Sequence, residues 1–179
     1  LEARLRAVRI GNADDPMTEM GPVVSRAQQN RIEECVATGE REGADVRRYA
    51  NLGGRADLGS GFFVSPTLLL DAKRDMSTSR VEIFGPVQSI FRFKDEAEAI
   101  EIANDSEFGL AAAVYSRDSG RAMRAAQAVS AGTVCINTGR KVSVDAPFGG
   151  FRQSGFGKER GIDAMLEDTQ LKNVRYAVS

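Results

Sequence analysis

The sequence predicts an α/β fold with a parallel-strand core, and three observations lead there. Between roughly residues 87 and 137, short β-branched and aromatic runs alternate with helix-patterned segments. Helix-initiating residues stand where that alternation needs them, at Ser25, Asp95 and Asp118. Hydrophobic residues make up 42% of the 179-residue chain, enough to bury one sizeable core.

Taken in order, "LEARLRAVRI" places Leu1, Leu5 and Val8 at helical spacing and opens with neither a methionine nor a cap. The chain is therefore expected to enter mid-helix, as a fragment of a bigger protein. A polar loop punctuated by Pro and Gly follows, up to Val24. Ser25 with Gln28 three residues on has the form of a capping box. Ile32, Cys35, Val36 and Gly39 then share one face of a helix that ends near Gly43. Asp45–Tyr49 and Phe62–Leu70 read as strands, with Pro66 confining part of the second to an edge or a strand end. Arg74–Arg80 is expected as a short helix and "PVQSIFRFK" as a strand. Asp95 with Glu98 caps a helix whose apolar side is Ala97, Ile100, Ile102 and Ala103. "LAAAVYS" reads as a buried strand, Asp118 starts the helix "SGRAMRAAQAV", and "GTVCIN" is the next strand. A glycine-rich turn, a short helix around Ile162–Glu167 and a last strand, "NVRYAV", complete the chain.

Composition removes several classes of function. A formal net charge of −1 supplies no global field that favours nucleic acid or an anionic membrane, so neither is expected as a partner. No apolar run reaches the roughly eighteen residues a membrane helix needs, and no secretory pattern is visible, which points to the cytoplasm. Histidine is absent, which excludes Ser-His-Asp and Cys-His catalysis and zinc sites built on imidazole. Cys35 and Cys135 are too few for a closed zinc site and suggest a reducing compartment, so no metal site is expected.

The stretch "APFGGFRQSGFGKERG" holds five glycines in sixteen residues and invites a phosphate-loop reading. A Walker A loop fails twice, because Arg152 stands where its first glycine is needed and Glu159 where its hydroxyl residue is needed. The dinucleotide fingerprint fails too, since Gly155, Gly157 and Gly161 are spaced one residue too wide and no alternating βαβ unit surrounds them. Lys158, Glu159 and Arg160 read most simply as a solvated helix start.

Four stretches in this order, "VEIFGPV", "NDSEFGLAAAVYSRD", "AGTVCIN" and "PFGGFRQSG", resemble the aldehyde dehydrogenase family. Upstream, "IGNADDPMTEMGPVVS" and "GFFVSPTLLL" look like the segments that follow the family's catalytic-cysteine region, so the resemblance covers essentially the whole chain. It implies a subunit of three parts: a Rossmann-like nucleotide-binding domain, a catalytic α/β domain and a projecting oligomerisation strand. This chain looks like the last third. Residues 1–155 would be part of the catalytic domain, and residues 156–179 the C-terminal helix and oligomerisation strand. In the family that strand, here "KNVRYAV", pairs with a neighbouring subunit, which implies a homodimer or homotetramer. A short strand with an exposed edge suits such pairing on physical grounds.

The resemblance also assigns residues. Glu82 matches the glutamate that accepts hydrogen bonds from the nicotinamide-ribose hydroxyls of NAD or NADP, a task suited to a charged acceptor. Phe84 matches the aromatic packed beside the nicotinamide. Without the family, Glu82 reads as a solvated or capping residue and Phe84 as core. The family often carries two glutamates here, whereas this chain has Val81 in the first position. Phe148 matches a residue lining the aldehyde tunnel, and Gly149 and Gly150 permit the close backbone approach such a loop needs. Val142 matches a tunnel position often filled by something bulkier, which implies a wider tunnel. Arg140 and Lys141 offer a partner to an aldehyde bearing a carboxylate, or are simply exposed.

In the family a cysteine thiolate adds to the aldehyde and amide donors hold the oxyanion. Hydride then passes to NAD(P), and a glutamate-activated water releases the carboxylic acid. The residues for these steps precede the region this chain matches, so no catalytic residue is expected within it. Cys35, beside Glu33 and Glu34, which offer a thiolate no stabilisation, reads as core. Cys135 lies in a strand where the family often has tryptophan. The expectation is a portion of an NAD(P)-dependent aldehyde dehydrogenase that does not turn over alone. The alternative is a truncated, non-catalytic paralogue acting as an oligomerisation or interaction module.

Overall fold

The computed structural model describes residues 1–53, 55–139 and 143–178, and the chain divides into two units, Leu1–Arg92 and Phe93–Ser179. In the first unit, helix α1 (Glu2–Ala7) precedes the loop to Ser25, whose hydroxyl accepts from the Gln28 N–H at 3.2 Å. That cap, worth about 1 kcal/mol, starts α2 (Arg26–Arg41) as the Ser25–Gln28 spacing predicts. The helix ends beside Gly43, which takes a left-handed φ of 100°.

Helix α2 packs on a three-stranded sheet of β1 (Asp45–Arg48), β2 (Thr67–Leu70) and β3 (Val87–Ser89), in that order. Strand β1 runs antiparallel to β2 with Asp45 opposite Leu70, and β3 runs parallel to β2 with Val87 opposite Thr67. Strand β2 begins directly after Pro66, so the expected strand over residues 62–70 is realised only in its second half, where every N–H can enter a ladder. The expected helix over residues 74–80 shrinks to one 3₁₀ turn, Ser77–Ser79. Val36 and Leu69 meet Ala44, Ala72 and Met76 in one buried cluster, while Ile32, Val64 and Ile83 form a second.

The second unit holds α3 (Glu96–Asn104), β4 (Ala111–Val114), α4 (Ser119–Ala128), β5 (Thr133–Ile136) and α5 (Gly161–Glu167). Asp95 and Asp118 cap α3 and α4 through the N–H groups of Glu98 and Arg121, both at 2.9 Å. Strands β4 and β5 are parallel, Ala111 opposite Thr133, and α4 packs on both. Asn137, at φ 52°, continues the pairing with its side chain: Oδ1 accepts from Ser116 N–H and Nδ2 donates to the Ser116 carbonyl.

One further expectation needs correction. Strand β4 is not buried: Ala112 and Val114 are half-buried, while Ala111 and Ala113 face solvent from a two-stranded sheet. The last strand, "NVRYAV", has no ladder partner among the described residues, and Val174, Tyr176 and Val178 are exposed. A strand exists only where another takes up its N–H and C=O groups. No helix among the described residues is long and apolar enough to cross a membrane.

Candidate functional site

The segment Val81–Gly85 joins the 3₁₀ turn to β3, and its anchor is Ile83, buried against Ile32 and Val64. Glu82 and Phe84, on either side of that anchor, are exposed. Phe84 adopts a left-handed φ of 55° and leaves 68% of its surface in water. For a bulky side chain that backbone costs about 1–2 kcal/mol. The exposed phenyl also forgoes burial worth about 1.5–3 kcal/mol. Both costs fall on one residue, two positions from an exposed carboxylate. Such local expense is what a ligand site tolerates and a core does not, so Phe84 is not the core residue that composition alone suggests.

Glu82 and Phe84 line a common cavity of about 370 Å³, with Ser79, Val81, Gly85 and Gln88 among its other walls. A carboxylate is an acceptor-only group with two oxygens, suited to a ligand that presents paired hydroxyls. The neighbouring phenyl offers a flat apolar face for a planar ring. The carboxylate acceptor and the apolar ring could therefore hold a ribose carrying a heteroaromatic base.

Helix α2 holds this segment in place. Gln28 makes half of the expected capping box, its N–H meeting Ser25, but its side chain does not reach back to the cap. Instead Nε2 donates to the carbonyls of Ile83 at 3.0 Å and Phe84 at 2.9 Å. One turn on, Ile32 lies beneath Gly85, where an added Cβ would stand 2.5 Å from Ile32 Cδ1. Nothing in the sequence pattern points to the Gln28 side-chain contacts, which span more than fifty residues.

In the second unit, half-buried Phe148 exchanges both backbone hydrogen bonds with Glu159, at 2.7 and 2.8 Å. The glycines around it are sites of close backbone approach. A Cβ on Gly132 would fall on the Gly149 carbonyl oxygen, and one on Gly149 would fall on that of Gly157. Lys158 and Glu159 are not a solvated helix start. Lys158 Nζ donates to the Gly150 carbonyl at 2.8 Å and sits 5.1 Å above the Phe151 ring, tying the glycine loop to the segment that follows it. Val142, Arg140 and Lys141 lie outside the described residues. Cys35 and Cys135 are free and half-buried, and among the described residues no cluster of acidic or thiol side chains is arranged to hold a metal ion.

A model of the aldehyde dehydrogenase family matches residues 1–174. A betaine aldehyde dehydrogenase from Brucella anthropi is 42% identical over 174 residues, covering 97% of this chain and 36% of that protein. An aldehyde dehydrogenase from Emericella nidulans is 44% identical over 173 residues, again covering 97% of this chain and 34% of its own length. The chain thus spans about a third of the length of the curated relatives it matches. Among solved structures, betaine aldehyde dehydrogenase from Staphylococcus aureus in complex with NAD+ superposes with a TM-score of 0.87 and 36% identity, over 99% of this chain and 37% of that one. An aldehyde dehydrogenase from Bacillus cereus gives 0.83 at 38% identity, over 91% of this chain and 32% of that one.

Proposed function

The chain belongs to the aldehyde dehydrogenase family, and from that premise we propose that it is the C-terminal portion of an NAD(P)-dependent subunit that oxidises a small aldehyde to its carboxylic acid. Residues 1–155 are the partial catalytic domain and residues 156–179 the C-terminal helix and oligomerisation strand. In the complete enzyme the oxidation runs through a cysteine thiohemiacetal whose nucleophile and general base lie outside this chain, so these residues alone do not turn over. When bound, the nicotinamide supplies the hydride acceptor. Glu82 would accept from the nicotinamide-ribose hydroxyls, and Phe84 would wall the ring. Phe148 and Val142 would line the aldehyde tunnel. The relative in complex with NAD+ supports a nicotinamide dinucleotide, and exposed Val174, Tyr176 and Val178 at two-residue spacing support strand pairing in a homodimer or homotetramer. The alternative of a non-catalytic interaction module is not favoured by any of these observations.

The single observation that carries the cofactor reading is the cavity shared by Glu82 and Phe84. Its test is calorimetric titration of NAD into the complete subunit and its Glu82→Gln variant. Loss of charge-assisted hydrogen bonds is expected to weaken binding roughly ten-fold or more. An unchanged dissociation constant would remove Glu82 from the site.

A further inference from the structure

We propose that Gln28 is a positioning residue of the cofactor site: its side-chain amide sets the backbone turn that presents Glu82 and Phe84. The inference rests on the cofactor reading of those two residues.

Three features support it. First, Gln28 Nε2 meets two successive carbonyls, those of Ile83 and Phe84, at 3.0 and 2.9 Å. In extended backbone, successive carbonyls point to opposite sides. One amide can serve both only because the left-handed φ of 55° at Phe84 turns the chain between them. The two hydrogen bonds and the unusual backbone are thus one arrangement, and removing the donor removes what compensates Phe84 for its conformation.

Second, the amide itself is fixed. Gln28 lies in the first turn of α2, where Ser25 holds its N–H, so its side chain starts from a capped and ordered position. Third, the support continues along the same helix face: Ile32, four residues on, is fully buried against Ile83 and fills the space left by the missing Cβ of Gly85. One helix face therefore grips the carbonyls of residues 83 and 84 and the backbone of residue 85. Glu82 and Phe84, whose side chains make none of these contacts, are left to face the cavity.

The test uses the complete subunit carrying Gln28→Met, which keeps side-chain length without a donor, and Gln28→Glu, which keeps shape but turns acceptor oxygens toward the carbonyls. Both are expected to raise the dissociation constant and KM for NAD roughly ten-fold, the scale of two net hydrogen bonds. The KM for aldehyde should stay near wild type. Glu82→Gln is measured alongside. If Glu82→Gln weakens NAD while both Gln28 variants bind it normally, the positioning role is overturned and the cofactor reading stands. If the Gln28 variants lower the thermal midpoint while their folded fraction binds NAD normally, Gln28 is merely structural and the inference again falls. If Glu82→Gln has no effect either, the cofactor reading fails and takes this inference with it.

Discussion

Gly85→Ala tests the packing beneath the candidate site, and its cost follows from three distances. A Cβ on residue 85 would lie 2.5 Å from Ile32 Cδ1, 2.8 Å from Cγ1 and 3.3 Å from Cγ2. Ile32 has no exposed surface and is clamped by Val64 and Ile83, so its side chain cannot move aside freely. Overpacking of this kind costs about 1–3 kcal/mol. Ile32→Ala alone opens a cavity and costs about 2–5 kcal/mol. In the double variant the new methyl enters the vacated space, so the combined cost should fall short of the sum by about 1–2 kcal/mol. The assay is hydrogen exchange of the complete subunit, read by mass spectrometry on the peptide containing Ile90, whose N–H bonds the Leu69 carbonyl at 2.9 Å. Where closing outruns exchange, each 1.4 kcal/mol lost speeds exchange about ten-fold. Unchanged protection in Gly85→Ala, or strictly additive effects in the double variant, would refute the claim that residue 85 must lack a side chain because of Ile32.

The Arg124 guanidinium, which holds Glu96 through hydrogen bonds of 3.1 and 2.9 Å, keeps that carboxyl below the usual glutamate range. Desolvation opposes this as the next largest influence, ahead of the lowering charges of Arg124 and Arg121 and the raising charge of Asp118. A depressed folded-state pKa contributes stability that is fully present above the unfolded value and is lost as pH falls through the folded one. Thermal midpoints of wild type and Glu96→Gln should therefore differ near neutral pH and converge as pH falls below the lowered folded-state value, with a constant gap counting against the clamp. In the second unit, Gly132→Ala places a methyl on the Gly149 carbonyl oxygen and should prevent soluble accumulation of the complete subunit, whereas Gly139→Ala, with no described atom within 4 Å of its Cβ, should be neutral. Equal yields would remove the close approach. Deleting residues 170–179 should reduce the subunit count measured by light scattering, and an unchanged count would exclude this strand from the assembly.

Local physics was legible in the sequence wherever the deciding contact lies within one turn. Ser25, Asp95 and Asp118 announce three helices because a cap and the N–H it accepts are three residues apart. Pro66 bounds β2 for an equally local reason, the missing N–H. Phe84 is different. Residue type alone places a phenylalanine in the core, and only the family resemblance assigned it a place beside a ligand, because what holds its backbone left-handed comes from a helix more than fifty residues earlier. Gln28 shows the same limit from the other side: the capping pattern accounts for its backbone and says nothing of its side chain. Lys158 was misread for that reason as well, its partner being the carbonyl of Gly150 across the glycine turn.

The exposure of β4 and of "NVRYAV" follows from a further physical difference. A helix satisfies its hydrogen bonds within its own residues, so sequence pattern and realised structure coincide in a single chain. A strand's hydrogen bonds lie in its neighbours, so its sequence records the sheet it serves. "LAAAV" is a continuous apolar run of the kind written for a strand covered on both faces, yet among the described residues β5 alone pairs with it and α4 packs on it, so alternate alanines meet water. "NVRYAV" carries the two-residue alternation of Val174, Tyr176 and Val178 with no ladder partner among the described residues. Exposing three large apolar side chains in a row forgoes several kcal/mol of burial, roughly 1.5–3 for each. A second polypeptide that took up both the backbone groups and that apolar face would recover the expense, and the deletion of residues 170–179 tests whether one does.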